Sequence, residues 1–418
     1  MKNNSSKTIF GTDSRIIVLG IARMADALGN SFLIVVLPLY IASGEVTGDF
    51  FGFSESLITG LVIGLFGLVS SFCQPFTGRI SDKMGKRRLF VLVGLFIFML
   101  ANFSYSIAHN YTALLIIRAI QGLAAALTIT ATLALVSEVS SNGNRGGNMG
   151  VYNAFRLIGF GIGPLASGAL VEGGPYHLPI VGEFNGFMAA FALAAIAALV
   201  SFLLVAFFVH DPEDIEPNSE GMIIRFRSRE PGKFLDPIFT LGLATLFMSM
   251  GFALLAPIEL EVNERLSQGA FLFSVEFSAL IGSMAILQPI IGKASDKYGR
   301  RIFIIIGLVC LIPIIIAEGL ATQPWHMITA RALHGISAAM VFAPALALAG
   351  DLAKKGQAAA QLSVLTVAFG LGISLGAFLT GYAIRFGFVV PFIIGAVLAA
   401  IGAVLVKTQV PKGEIAKS

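Results

Sequence analysis

Charge is scarce in this chain. Asp, Glu, Lys and Arg make up only 12% of its 418 residues, against roughly a quarter in a soluble domain. A water-facing surface of that size needs more charge, so a soluble fold is excluded. Cysteine is nearly absent as well. Cys73 and Cys310 each sit inside an apolar run, which rules out a disulfide framework and thiolate metal spacing. Five histidines are scattered, with no HExxH pair to hold zinc. There is no Walker phosphate loop and no nucleophile elbow. Gly370-Leu-Gly372 is no dinucleotide fingerprint, because no strand precedes it. Nothing supports enzymatic chemistry, and no cofactor or metal is expected.

What the chain has in abundance is apolar length. It is 56% hydrophobic, with a mean hydropathy of +0.85. A membrane-spanning helix needs about 20 mostly apolar residues. Twelve such segments are read: 15–40, 54–77, 88–107, 111–137, 150–171, 183–209, 237–260, 273–294, 301–321, 325–352, 358–385 and 388–406. The polar start, Met1 to Ser14, leads into a run longer than the apolar core of a signal peptide, so no cleaved leader is expected. The expected fold class is an all-α integral membrane protein with twelve transmembrane helices.

The net charge of +4 is not a nucleic-acid footprint, and no nucleic-acid partner is expected. The basic residues collect in alternate loops: Gly78–Arg88, Arg225–Lys233, Gly292–Arg301, Lys354-Lys355 and both termini. The opposite loops hold only Arg265 and Arg385. By the positive-inside rule both termini are expected to be cytoplasmic. The lean loops suit a multi-pass protein of a prokaryotic inner (plasma) membrane.

Two of the basic stretches are copies of each other. Gly78-Arg-Ile-Ser-Asp82-Lys-Met-Gly85-Lys86-Arg87-Arg88 returns as Gly292-Lys-Ala-Ser-Asp296-Lys-Tyr-Gly299-Arg300-Arg301, and each follows a Gln-Pro pair. The glycines suggest a tight reversal between two helices. Asp82 and Asp296 can accept bonds from a helix N-terminus. Arg87 and Arg300 suit acids at helix ends, with Glu138 and Asp351 as the expected partners. Such pairs would close an inner gate when the outer side is open.

The repetition runs through the whole chain. Arg118, Gln121, Gly122 and Glu138 reappear 213 positions on as Arg331, His334, Gly335 and Asp351. Gly159, Gly163 and Gly168 reappear at the same offset as Gly372, Gly376 and Gly381. A polar break at 210–232 separates the copies. The expected organisation is an N-terminal six-helix bundle (1–209), a cytoplasmic linker (210–235) and a C-terminal six-helix bundle (236–418), pseudo-symmetric about the membrane normal.

Taken together, the loop motif, the twelve segments and the repeat resemble the major facilitator superfamily of transporters over essentially the whole length. Within it, the chain is most similar to the twelve-helix drug–proton antiporters. The fifth helix reads Gly150-(eight)-Gly159-(three)-Gly163-Pro164-(two)-Ser167-Gly168, close to the antiporter signature, with Ser167 in place of a usual glycine. The first helix reads Asp26-Ala-Leu-Gly29 and ends Leu37-Pro38, like that of tetracycline-type exporters. The resemblance implies alternating access, proton-coupled antiport and export of small apolar or amphipathic compounds. Expected partners are a small-molecule substrate, protons and the lipid bilayer, and the expected state is a monomer. The resemblance makes Arg118 a buried arginine tied to proton coupling, and makes Gly159, Gly163, Pro164 and Gly168 a pivot and seal favouring antiport.

The residues themselves supply candidates. An ionisable group at membrane depth is costly, which makes it a functional candidate. Asp26 lies near the middle of the first helix, on one face with Arg23 and Asn30. Changing its exposure can load or release a proton. Arg23, Asn30, Gln121, Arg156, Arg331 and His334 are the candidate cavity residues. His334 titrates in a useful range, and Arg156 meets substrate or snorkels to the surface. On the helices expected to line the cavity, Arg23, Arg118, Arg156 and Arg331 face Asp26 as the one deep acid, with Glu259, Glu261 and Glu276 assigned to outer ends. That balance suggests an electropositive centre and an alternative reading, a proton-coupled carrier of an organic anion or zwitterion. A non-transporting sensor is a third reading, which would call for a long soluble signalling segment.

Overall fold

A computed structural model describes residues 8–9, 12–48, 50–139, 145–178, 182–211, 226–228, 232–352 and 358–411. Lys354-Lys355, both extreme termini and most of the 210–232 segment lie outside the described residues. The N-terminal half contains α1 (Ser14–Ala42), α2 (Glu55–Met84), α3 (Arg87–Ser104), α4 (Tyr111–Val139), α5 (Arg145–Gly173) and α6 (Gly186–Phe208). The C-terminal half contains a broken α7 (α7a, Pro237–Phe252, and α7b, Glu259–Leu266), then α8 (Ala270–Tyr298), α9 (Arg300–Leu320), α10 (Pro324–Leu352), α11 (Ala358–Ala383) and α12 (Val390–Gln409). Twelve spans are long and apolar enough to cross a membrane. Phe72, Phe207 and Ile286 stand more than two-thirds exposed on the bundle surface. In a soluble protein such a belt invites aggregation, whereas here it meets lipid.

Local chemistry fixes the helix ends. Ser54 caps α2 by accepting from the Leu57 amide, and Asn185 caps α6 through Met188. Asp236 accepts from the Ile238 and Phe239 amides, with Pro237 at the first helical position. Gly85 ends α2 in the left-handed region, φ 63°, which glycine enters without strain.

The structure corrects three boundaries. The repeated basic motif is mostly helix: α2 continues through Met84 and α8 through Tyr298, so Gly78 and Gly292 lie inside helices and the reversals shrink to Gly85-Lys86 and Gly299. A polar turn can prolong a helix beyond the membrane, where loss of hydropathy does not end it. The seventh span is interrupted, because the chain leaves α7a after Phe252 and passes through a 3₁₀ turn, Ala256–Ile258, containing Pro257. The sixth helix begins at Gly186, since Gly182–Phe184 pairs as a strand with Tyr176–Leu178, Tyr176 opposite Phe184.

In the N-terminal half α1 packs on α5 and α6, α4 on α2 and α3, and α3 on α6. The C-terminal half repeats the scheme, with α7a on α11 and α12, α10 on α8 and α9, and α9 on α12. Two seams join the halves, α2 with α11 and α5 with α8. A Cβ on Gly60 would come within 2.5 Å of the Ala377 carbonyl, and one on Gly67 within 2.9 Å of the Gly370 carbonyl, so the backbones approach as only small residues allow. Among the described residues four hydrogen bonds join the halves: Ser56–Glu261 between α2 and α7b, the Phe271 amide to Glu172 (2.9 Å), Ser278 to the Gly161 carbonyl (2.7 Å) and Ser71 to the Val367 carbonyl (3.4 Å). They run from mid-bundle to the end bearing the α1–α2 and α7–α8 connections. At the other end, which carries the repeated basic motif, a Cβ on Gly150, Gly292 or Gly350 meets nothing within 4 Å. The close contacts between the halves thus run from mid-bundle to the end bearing the α1–α2 and α7–α8 connections.

Candidate functional site

Ionisable side chains are buried in both halves, and the two sets differ. In the N-terminal half Arg23 and Asp26, one turn apart on α1, form an ion pair. Asp26 is buried and Arg23 nearly so. With Thr128 and Thr132 of α4 and Val91 and Leu95 of α3, they edge a void of about 10 Å³, about the size of one water. Tyr152 of α5 is within electrostatic reach of both. Arg156 Nε donates to Asn153 Oδ1 (2.9 Å), and its guanidinium lies 5.8 Å from the Phe160 ring centre. Among the described residues Arg156 has no carboxylate partner.

A second polar group lies nearer the end bearing the α1–α2 connection. Arg118 donates to the Val62 carbonyl of α2 (3.1 Å) and to Gln121 Oε1 (3.1 Å), with the Phe66 ring beneath it. Gln121 also accepts from Tyr105 (2.7 Å) and donates to Asn102 (2.7 Å), which donates to the Ala194 carbonyl of α6. These bonds satisfy Arg118 without an acid. Arg118 forms no ion pair with Asp26 in this structure, where Asp26 is engaged by Arg23.

The C-terminal half builds the equivalent place from charges. Arg331 donates to the Phe252 (3.2 Å) and Gly251 (3.4 Å) carbonyls freed where α7 breaks. Its Nη1 lies 3.7 Å from Glu318 Oε1, and His334 Nδ1 lies 2.9 Å from the same oxygen. All three residues are fully buried. Glu276 of α8, held by Gln268 Nε2 at 2.9 Å, is within electrostatic reach of Arg331 and Glu318, and Glu259 of α7b within reach of Glu276. The expectation of one deep acid facing four arginines is thereby corrected. Glu318 was missed because its helix was assigned to the periphery, and Glu259 and Glu276 are enclosed rather than displayed at rims. Gln121, Arg331 and His334 are likewise sealed inside their halves, so only Arg23, Asn30 and Arg156 of the candidate cavity residues retain some exposure.

The repeated motifs form ion pairs inside each half. Arg87 meets Asp82 (2.5 Å) and Glu138 (3.0 Å), tying α2 and α3 to α4. Arg300 meets Asp296 (2.8 Å) and Asp351, tying α8 and α9 to α10. A pair expected to close a gate between the halves therefore joins helices of one half. The neighbouring arginines act alike: Arg88 reaches the Ala206 carbonyl at the end of α6, and Arg301 the Lys407 carbonyl near the end of α12, where a cation suits the helix dipole.

The glycines of α5 divide their contacts. Gly159 and Gly163 lie against the Met24 and Leu28 carbonyls of α1, while Gly168 faces Ala270 and Ser274 of α8 across the seam. Pro164 sits inside α5, and its carbonyl accepts from Ser167. Gly372 and Gly376 of α11 press on α7a in the same manner, and Gly381 meets Ser56 of α2.

This paired architecture corresponds to a known family. A sequence model described as Major Facilitator Superfamily matches residues 19–240 and 241–417. The chain belongs to the Major Facilitator Superfamily. Among relatives in this superfamily, the quinolone resistance protein NorA of Staphylococcus aureus (strain MRSA252) is 27% identical over 186 residues, 44% of this chain and 42% of that protein. Less than half of that relative is thus matched. An uncharacterized MFS-type transporter, MJ1560 of Methanocaldococcus jannaschii, is 25% identical over 71% of this chain and 72% of its own length. Among solved structures, a bacterial homolog of the human lysosomal transporter Spinster, inward-facing and occupied, aligns with a TM-score of 0.77 at 15% identity, over 94% of this chain and 95% of that one. The human organic anion transporter MFSD10 aligns at 0.68 and 17% identity, over 94% and 98%. These likenesses establish the two-half, twelve-helix fold.

Proposed function

We propose that this chain is a secondary transporter working by alternating access, with the basic-motif end facing the cytoplasm. It exchanges protons for small apolar or amphipathic compounds and moves the latter outward, acting as a single chain. The observation that carries the reading is the asymmetry of the seams. The close contacts between two halves of one design gather from mid-bundle to one end, which suits one state in an alternating cycle. Arg23 and Asp26 lie in the N-terminal half where a change of surroundings can exchange a proton, and Arg118 braces that half. The quinolone resistance relatives and the α5 glycine pattern favour efflux. Transport in proteoliposomes with an imposed pH gradient tests this, using norfloxacin, ethidium and an anionic amphiphile. Gradient-driven movement that stops when the gradient is dissipated is expected. Movement indifferent to the gradient sinks proton coupling.

A carrier of organic anions or zwitterions is the second reading. Arg156 favours it, since a half-buried guanidinium held only by Asn153 and Phe160 suits an incoming anion. Under that reading Arg156→Ala weakens binding of the anionic probe most and leaves ethidium unchanged. An equal effect on both probes removes it.

A further inference from the structure

The charged cluster of the C-terminal half has a neutral twin. Tyr105, Arg118 and Gln121 stand 213 positions before Glu318, Arg331 and His334. Tyr105 bonds Gln121 as Glu318 bonds His334. In the N-terminal copy every one of these partners apart from Arg118 is uncharged, and Asn102 completes the network. In the C-terminal copy Glu318 and Glu276 lie near one guanidinium, Arg331, with Glu259 beside Glu276, and all four side chains are fully buried. With neutral His334 two negative charges are unmatched, and with protonated His334 one still is. An uncompensated charge in an apolar interior is strongly unfavourable. Charge balance therefore demands bound cations.

The atoms left without partners lie where a proton would sit. Glu318 Oε2, His334 Nε2 and Glu276 Oε2 are buried and unbonded among the described residues. The groups facing Glu318 are Arg331 and His334 from α10, Glu276 from α8 and, beyond it, Glu259 from α7b. Arg265 of α7b bonds the Ala321 carbonyl just after α9. From α12 the neighbour beside Gly319 is the uncharged Phe392.

We infer that Glu318 and His334, with Glu276 and Glu259 behind them, form a proton-binding site in the C-terminal half, separate from the Asp26–Arg23 pair. The inference rests on the transporter reading for its purpose, though not for its chemistry. The site also touches the moving parts. The His334 ring meets Phe252 at the break in α7, Phe252 meets Phe369 of α11, and α11 forms the seam with α2. Gaining or losing a proton at Glu318 changes the hold on His334 and Arg331, and through Arg331 the hold on the open carbonyls of Gly251 and Phe252. A proton held there in the present state is sealed in, since the side chains of the site are fully buried.

Infrared difference spectroscopy of the intact protein in lipid nanodiscs tests the site without any substrate, as pH is stepped from about 9 to about 5. The protonated-carboxyl C=O band should grow in the wild type. Glu318→Gln should remove part of that growth and His334→Gln should displace its midpoint, while Asp26→Asn removes a different component. Glu318→Gln keeps the shape of the side chain, and His334→Gln installs the residue that the N-terminal twin already uses. Spectra of both variants superimposing on the wild type overturn the site. Sodium in place of choline should leave the titration unmoved, and a sodium-dependent shift assigns the cluster to a metal cation instead. A parallel assay separates this inference from the transport reading: Glu318→Gln should keep ethidium counterflow but lose accumulation driven by a pH gradient. If the wild type carries no probe, the transport reading suffers and the infrared result still decides the site. If Glu318→Gln accumulates ethidium as the wild type does, the proton bound there is not the one that drives transport, and the purpose given to the site is withdrawn.

Discussion

Arg87 Nη2 lies 3.0 Å from Glu138 Oε1, and both residues belong to the N-terminal half. Their repeats, Arg300 and Asp351, also pair within one half. The basic motif thus fastens three consecutive helices of each half to one another at this end, whatever the distance between the halves.

The two copies of that fastening should differ in strength. Arg87 is 4% exposed, whereas Arg300 is 23% exposed and its partners Asp296 and Asp351 more than half. Solvent screens the second set. Arg87→Ala should destabilise the purified protein by about 1–3 kcal/mol, after discounting a buried pair for its partly exposed acids. Arg300→Ala should cost below about 1 kcal/mol. Thermal unfolding in one detergent compares them, and an equal loss, or the reverse order, removes the argument from burial.

Glycines facing α1 should act on stability alone. A Cβ at Gly159 or Gly163 would collide with carbonyls of α1, while one at Gly150 meets open space. Gly159→Ala and Gly163→Ala should each cost about 1–3 kcal/mol through overpacking. Gly150→Ala should fall near zero or slightly stabilise its helix, by up to about 1 kcal/mol. The same unfolding assay distinguishes them.

Gly168 should behave otherwise, because its neighbours belong to the other half. Gly168→Ala pushes on α8, and Glu172→Gln weakens the bond to the Phe271 amide. Both should shift the population toward states parted at this end with little change in unfolding temperature. Labelling rates of single cysteines introduced at the two ends report the shift. An unchanged ratio would mean that the seam does not control the equilibrium.

Asp26 should be needed as a proton acceptor and not only as the counter-charge of Arg23. Asp26→Asn should abolish transport driven by a pH gradient while probe binding survives. The double variant Arg23→Gln with Asp26→Asn removes both charges of the pair. If pairing were the whole role, the double variant would regain gradient-driven transport, and we expect it to remain uncoupled.

Much of the fold was readable because apolar length dominates this sequence. The helices and the offset of 213 need only hydropathy and small motifs. Other features depend on contacts that no single segment reveals. The α7 break was visible only as Pro257, since where a helix yields near a proline depends on what meets the carbonyls left there, here Arg331 at Gly251 and Phe252. Glu318 escaped because its partners sit on other helices, although the same offset joins it to Tyr105, and following that offset through α3 and α9 finds it. Asp26 and Arg23 were legible as neighbours one helical turn apart, but the lack of any acid for Arg118 was not.

At their closest points the seams between the halves are glycine, alanine and serine, with Ile63, Ile373 and Phe378 packed around them. Where small residues meet, the faces can release one another with few side chains having to leave a pocket. Backbone meets backbone at short range, which gives close fit but little surface to peel. A seam of leucine and phenylalanine would grip like a zip, and each opening would require its teeth to be drawn. The smooth seam instead lets two stiff bodies part and meet again many times, with the few bonds of Ser56, Ser71, Glu172 and Ser278 acting as catches rather than as glue.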